Sequence, residues 1–159
     1  MLTNLATPES LNAQVNVAQQ AFAIMAEMNV FPAPSSSDPK LSELESGPTF
    51  AAVIRYLGEC HGSLRIDCSP SIAYAFTERI CGIDPPQEFN SDVSDAIGEL
   101  INTIGGNLKG LLPAHTRINI PEVFAQLPGE AKRLSGPAVS CLNFNSEFGP
   151  FRLVLLETP

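Results

Sequence analysis

The stretch from Ser91 to Leu112, SDVSDAIGELINTIGGNLKGLL, constrains the fold of this chain more than any other. At about 100° per residue, Val93, Ile97, Leu100, Ile104, Leu108 and Leu111 fall on one narrow stripe. Such a stripe predicts an amphipathic helix buried against a sheet. Ser91 is the expected N-cap, with Asp92 and Asp95 near the positive end of the helix dipole. Pro113 is the expected stop. On the opposite face, roughly 190° away, stand Asp95, Glu99, Asn102 and Gly106. Two carboxylates, a carboxamide and a bare backbone are thus placed about one turn apart on the solvent side. Folding does not require a Glu and an Asn three residues apart there.

The rest of the chain predicts what that helix packs against. Thr7-Pro8-Glu9 starts a first helix, expected to run to about Asn29 with Leu11, Val15, Ala18, Phe22 and Met25 facing in. Its polar face of Asn12, Asn16, Gln19 and Gln20 reads as solvated surface. Phe31 to Pro48 is rich in Pro and Ser and reads as a connector (residues 32–48) within one domain of 159 residues. The cluster Leu41, Glu43, Leu44 and Glu45 adds a turn of structure to it. Thr49 to Leu57 and Ser63 to Ser69 form a hairpin. In its second strand Leu64, Ile66 and Cys68 alternate with Arg65 and Asp67, the pattern of a half-buried strand. Ser69-Pro70 opens a second helix with Ile72, Ala73, Phe76 and Ile80 inward, and Gly82 ends it. Asp84-Pro85-Pro86 is a rigid turn. Arg117 to Ile120 is a short strand, and Pro121 to Leu134 is expected to be loop with a weak helical turn. Ala138 to Asn145 and Pro150 to Glu157 are two further strands joined by a turn. The expected class is α+β: a mostly antiparallel sheet covered by two long helices and a shorter one.

Composition narrows the function classes. The net charge is −8, and the nine Lys and Arg form no cluster. That argues against nucleic acid or an anionic membrane as partner. No run is long and apolar enough to span a bilayer and no signal peptide is visible, so the expected location is cytoplasmic. Four cysteines, Cys60, Cys68, Cys81 and Cys141, lack metal-site spacing and read as reduced, mostly buried thiols. His61 and His115 stand apart from any nucleophile and acid in sequence. Phosphate loops and nucleophile elbows are missing.

The Asp95, Glu99, Asn102 and Gly106 face therefore carries the chemistry, if any does. A carboxylate on a rigid helix can pair with a partner's lysine. A carboxamide one turn later can both donate to and accept from a water. That suits positioning a water for attack on a phosphoryl group, where alignment does most of the work. Gly106 costs helix stability, on the order of 1 kcal/mol, which suggests close approach of another backbone, a partner's or its own. From spacing alone an ordinary wet face with glycines for packing explains the pattern as well.

The segment Ala96-Ile97-Gly98-Glu99-Leu100-Ile101-Asn102-Thr103-Ile104-Gly105-Gly106-Asn107 resembles the signature helix of the CheC/CheX/FliY chemotaxis phosphatases. That signature has an Asp or Ser, a Glu four residues on, an Asn three further and a Gly four beyond. Asp95, Glu99, Asn102 and Gly106 fill the four places. Cys60 to Leu64, followed by Ser69 to Gly82, is similar to the family's elements before the signature. The likeness spans roughly Ala21 to Glu157 and is weak between Pro113 and Gly136. CheC members carry two copies of the signature, whereas the first helix here has no such Glu and Asn, so the chain looks like CheX. The resemblance implies hydrolysis of the phospho-aspartate of a CheY-like response regulator. The regulator would supply Mg2+, with no cofactor of the chain's own. Asn102 would position the water, Glu99 would hold the regulator's lysine, and Asp95 and Gly106 would shape the docking face. It also implies a possible homodimer. The alternatives are a non-catalytic CheX-like binding module for a regulator or other signalling protein, and a part of a motor switch.

Overall fold

The computed structural model describes residues 2–33, 44, 47–126 and 138–158. Helix α1 spans Pro8–Ala26, α2 Pro70–Cys81 and α3 Ser91–Leu108. The strands are β1 Phe31–Pro32, β2 Phe50–Leu57, β3 Gly62–Cys68, β4 Arg117–Ile118, β5 Glu122–Phe124, β6 Ala138–Asn145 and β7 Phe151–Glu157. They form one sheet in the order β1-β6-β7-β3-β2-β4, with β5 also paired to β2. Every pairing is antiparallel. The α+β reading of the sequence is thus the fold observed.

Alternation along the strands explains where the core sits. Phe50, Ala52, Ile54 and Tyr56 of β2, Leu64, Ile66 and Cys68 of β3, and Phe151, Leu153 and Leu155 of β7 all join one buried cluster with the helices. Phe22 of α1 meets Phe151 of β7 at 4.7 Å and Phe76 of α2 at 5.4 Å between ring centroids. The latter pair is edge to face, as ring quadrupoles favour. Helix α3 lies across β2 and β3 and packs on both other helices.

Local chemistry sets the ends of the helices. Thr7 caps α1 by accepting from the Ser10 N–H at 3.3 Å, with Pro8 at the first helical position. The helix ends at Ala26, three residues short of the expected Asn29. Glu27 there takes a left-handed conformation, φ 52°. The Arg79 guanidinium donates to the Ala26 and Glu27 carbonyls, a cation where the dipole favours one. Gly82, also left-handed at φ 64°, closes α2 as expected.

Three expectations need correction. Asp67 and Arg65 do not face solvent: they are 6% and 7% exposed and form a two-pronged ion pair at 2.8 and 2.9 Å. Alternation normally marks a solvated face, but β3 is covered on both sides and its polar residues pair with each other. Pro121 to Leu134 does not start as loop: Glu122–Phe124 pairs with Ala51–Val53 as β5. Three residues are too few to show a period, so only the sheet edge reveals them. Residues 127–134 lie outside the described residues, as do Leu41, Glu43 and Glu45; Leu44 is helical and buried. Finally, Cys81 and Cys141 are exposed, so only Cys60 and Cys68 are buried thiols.

Helix α1 also carries a buried amide that its polar sequence pattern does not reveal. Gln14 is 1% exposed; its Nε2 donates to the Leu5 carbonyl at 2.9 Å and its Oε1 accepts from the Ser140 hydroxyl at 2.8 Å. It ties the 3-10 turn Leu2–Ala6, α1 and β6 together. Gln14→Leu keeps the bulk but strands two polar groups. It should lower unfolding free energy by about 1–3 kcal/mol in a urea titration. An unchanged midpoint would show that the network contributes nothing net.

Candidate functional site

Helix α3 owes its placement to its caps and its stripe. Asn90, not Ser91, is the N-cap: its Oδ1 accepts from the Val93 N–H at 3.0 Å. Ser91 sits one residue inside, where a hydroxyl is also tolerated, and Asn90 has the extended backbone that a cap needs. Val93, Ile97, Leu100, Ile104 and Leu108 are all buried, as the period predicts. Leu111 is not: it is 43% exposed, because the helix tightens into a 3-10 turn at Lys109–Leu111 before Pro113 and the stripe leaves the core.

The two adjacent glycines differ sharply. A Cβ on Gly105 would overlap the Ile54 Cδ1 and sit 3.4 Å from the Tyr56 hydroxyl. That hydroxyl donates to the Gly105 carbonyl at 3.0 Å. Burial holds the Tyr56 phenol far above its ordinary pKa, so it stays a donor. Gly105 is therefore where sheet and helix make their close approach. Gly106 is exposed, and a methyl group placed on it would meet nothing within 4 Å. The backbone of the described residues does not explain it.

Asp95, Glu99, Asn102 and Gly106 all lie on the exposed face of α3, as the sequence predicts. Among the described residues, the side chains of Asp95, Glu99 and Asn102 make no hydrogen bond or ion pair. Asp95, Glu99 and Asn102 line an open groove of about 420 Å³ together with Ser94, Gly98, Pro121 and Val123. Helix α3 forms one wall and the β4–β5 edge the other. The wall from Pro121 and Val123 was not legible in the sequence. Val123 reaches to 3.6 Å from where a Cβ of Gly98 would stand, an ordinary contact distance that brings the second wall close to the helix. Gly106 lies a turn beyond the groove and does not line it.

The groove is acidic. Carboxylates at this end of α3 act on the exposed Cys81 thiol, whose pKa is raised by slight desolvation, then by Asp92 and Asp95. A cationic group on a partner would be drawn to this end of α3. Among the described residues no three His, Cys, Asp or Glu side chains gather closely enough to hold a metal ion. None of the described helices is long and apolar enough to cross a membrane.

Comparison with known proteins places this geometry. The family model "Chemotaxis phosphatase CheX" matches residues 50–145, which include β2, α3 and both walls of the groove. A search among curated proteins returns no significant match. Among solved structures, the chemotaxis protein CheX from Vibrio vulnificus superposes with a TM-score of 0.72 at 17% identity, covering 92% of this chain and 94% of that one. A CheC-like superfamily protein from a Shewanella species gives 0.71 at 19% identity, with 94% and 97% covered. CheX in a CheX–CheY–BeF3–Mg complex from Borrelia burgdorferi gives 0.70 at 14% identity, again with 94% and 97% covered. At such identities the structures speak for the fold alone, while the family model spans well over half of the chain; it belongs to the CheX family of chemotaxis phosphatases.

Proposed function

We propose that the chain is a phosphatase acting on the phospho-aspartate of a CheY-like receiver domain. The observation that carries this reading is the pairing of Glu99 and Asn102, one turn apart and without partners of their own among the described residues, in an acidic groove. In water-exposed positions such groups cost the fold little and gain nothing from it. They are available to a second molecule. The complex of a related CheX with CheY, BeF3 and Mg supports the choice of partner.

The chemistry follows from the side chains. A phospho-aspartyl group is an acyl phosphate whose hydrolysis needs a water aligned behind phosphorus. The Asn102 carboxamide can accept a hydrogen bond from that water and donate to a phosphoryl oxygen, which fixes the line of attack. Glu99 is placed to pair with a lysine of the receiver. That pairing would be made as the two proteins dock, and it would hold the phosphoryl group opposite Asn102. The receiver would bring the Mg2+ that its own acidic site binds, so the chain needs no metal of its own. Asp95 extends the acidic face by one turn, and Gly106 leaves space for the partner's backbone.

The test is phosphate release from purified receiver domains phosphorylated with acetyl phosphate. Wild-type protein should accelerate release over the receiver's own rate. Glu99→Gln removes the charge and keeps the shape. It should raise KM roughly tenfold, since one charge-assisted contact at a partly shielded site is worth about 1–2 kcal/mol. The effect should shrink as salt rises. Tight binding to the phosphorylated receiver with no faster release would instead favour a non-catalytic binding module.

A further inference from the structure

The second wall of the groove contains an irregularity in the sheet. Strand β4 pairs Ile118 with Tyr56, and β5 pairs Glu122 with Val53. Three steps along β2 therefore face four along its partner. The edge holds one extra residue between Ile118 and Glu122, a β-bulge. Its effect on side-chain direction is definite. Tyr56 and Ala52 face the helices, so their partners Ile118 and Val123 do too. An even- and an odd-numbered residue can share one face only because the bulge intervenes.

What the bulge sets outside is Ile120. It is 85% exposed, the most exposed large apolar residue among those described. It is also held in place. The Asn119 side chain accepts from the Arg55 N–H at 2.7 Å, and the Asn119 N–H donates to the Arg55 carbonyl at 3.2 Å. Arg55 further approaches Glu122 at 4.0 Å. Pro121 follows directly and restricts the backbone before it. Ile120 is thus displayed on a braced support, next to the residue that lines the groove opposite Glu99 and Asn102. Bulges at sheet edges commonly re-aim a side chain beside an active site.

We infer that Ile120 is the apolar docking contact for the phosphorylated receiver, completing from the sheet edge the surface that α3 begins. The inference rests on the phosphatase reading of the groove. A receiver that brings its phosphoryl group to Asn102 enters the groove that Pro121, the neighbour of Ile120, lines. The partner surface that fits has a cationic centre against Glu99 and Asp95 and an apolar side chain toward the opposite wall, beside Pro121. Non-polar contact beside a charged one gives binding strength that the acidic face alone, exposed to salt, does not supply.

The experiment is steady-state kinetics on the receiver that the wild-type protein dephosphorylates fastest, phosphorylated with acetyl phosphate. Ile120→Ser should raise KM roughly tenfold and change kcat by less than about twofold. Ile120→Leu should restore KM. Ile24→Ser is the control: Ile24 is 81% exposed on α1 and lines no part of the groove, so KM should not move. An unchanged KM for Ile120→Ser, or an equal rise for Ile24→Ser, overturns the inference while leaving the phosphatase reading intact. Full activity in Asn102→Ala overturns that reading itself. No acceleration by wild type on any receiver overturns both.

Discussion

Asn102→Ala should slow dephosphorylation of the receiver by about 100-fold or more, with little change in KM. The size follows from what the carboxamide is asked to do. Removing one preorganised hydrogen-bond donor or acceptor from a reacting centre costs about 10²–10³ in rate. The sparing of KM follows from where Asn102 stands. It is exposed on α3 and makes no hydrogen bond within the described chain, so its loss disturbs neither the fold nor the acidic face that docks. Asn102→Asp would be as slow, because a carboxylate cannot donate to a phosphoryl oxygen and repels it. The measurement is single-turnover phosphate release at saturating enzyme, which separates the chemical step from docking. A wild-type rate in Asn102→Ala would remove this side chain from the mechanism. Together with Glu99→Gln, which should act on KM, the pair divides the groove into a chemical half and a binding half.

Gly105→Ala and Gly106→Ala should shift stability in opposite directions. At Gly105 a methyl group would overlap the Cδ1 of Ile54, which is fully buried and must shift within the core, and would crowd the Tyr56 hydroxyl. Overpacking of this kind costs about 1–3 kcal/mol. Alanine returns about 1 kcal/mol of helix propensity, so the net is destabilising by up to about 2 kcal/mol. At Gly106 the methyl meets nothing within 4 Å, and the propensity gain of about 1 kcal/mol stands alone. For a domain of this size 1 kcal/mol moves Tm by roughly 2–4 °C, so the two variants should melt several degrees apart. Thermal unfolding by circular dichroism decides it. If both variants melt alike, Gly105 is not where α3 meets the sheet. If Gly106→Ala also loses phosphatase activity while gaining stability, the space above Gly106 belongs to the receiver.

How much of this is readable from the sequence depends on the range of the interaction. The α3 stripe, the cap and proline of α1, the left-handed Gly82 and the β6–β7 hairpin all arise from neighbours a few residues apart. Period and propensity report such things directly. The exposed face carrying Asp95, Glu99, Asn102 and Gly106 follows from that same period. The misreadings have the opposite origin. Arg65 and Asp67 look solvated until β3 is seen to be central and covered. The burial of Gln14, which the pattern of α1 does not mark, appears only when Leu5 and Ser140 are brought to it from other elements. Strand β5 is too short to announce itself, and only pairing with β2 makes it a strand.

The sequence by itself determined the helix, its buried and exposed faces, and the residues that could act on a partner, because 3.6 residues per turn is a local property of the backbone. The tertiary structure alone decided that these residues face a groove rather than open solvent. Its second wall depends on one extra residue in an edge strand, and register between strands far apart in the chain leaves no mark in local periodicity. It also decided which of the two glycines serves the fold. The period sets Gly106 on the exposed face, and only the position of Ile54 beneath Gly105 shows that the fold needs a glycine there.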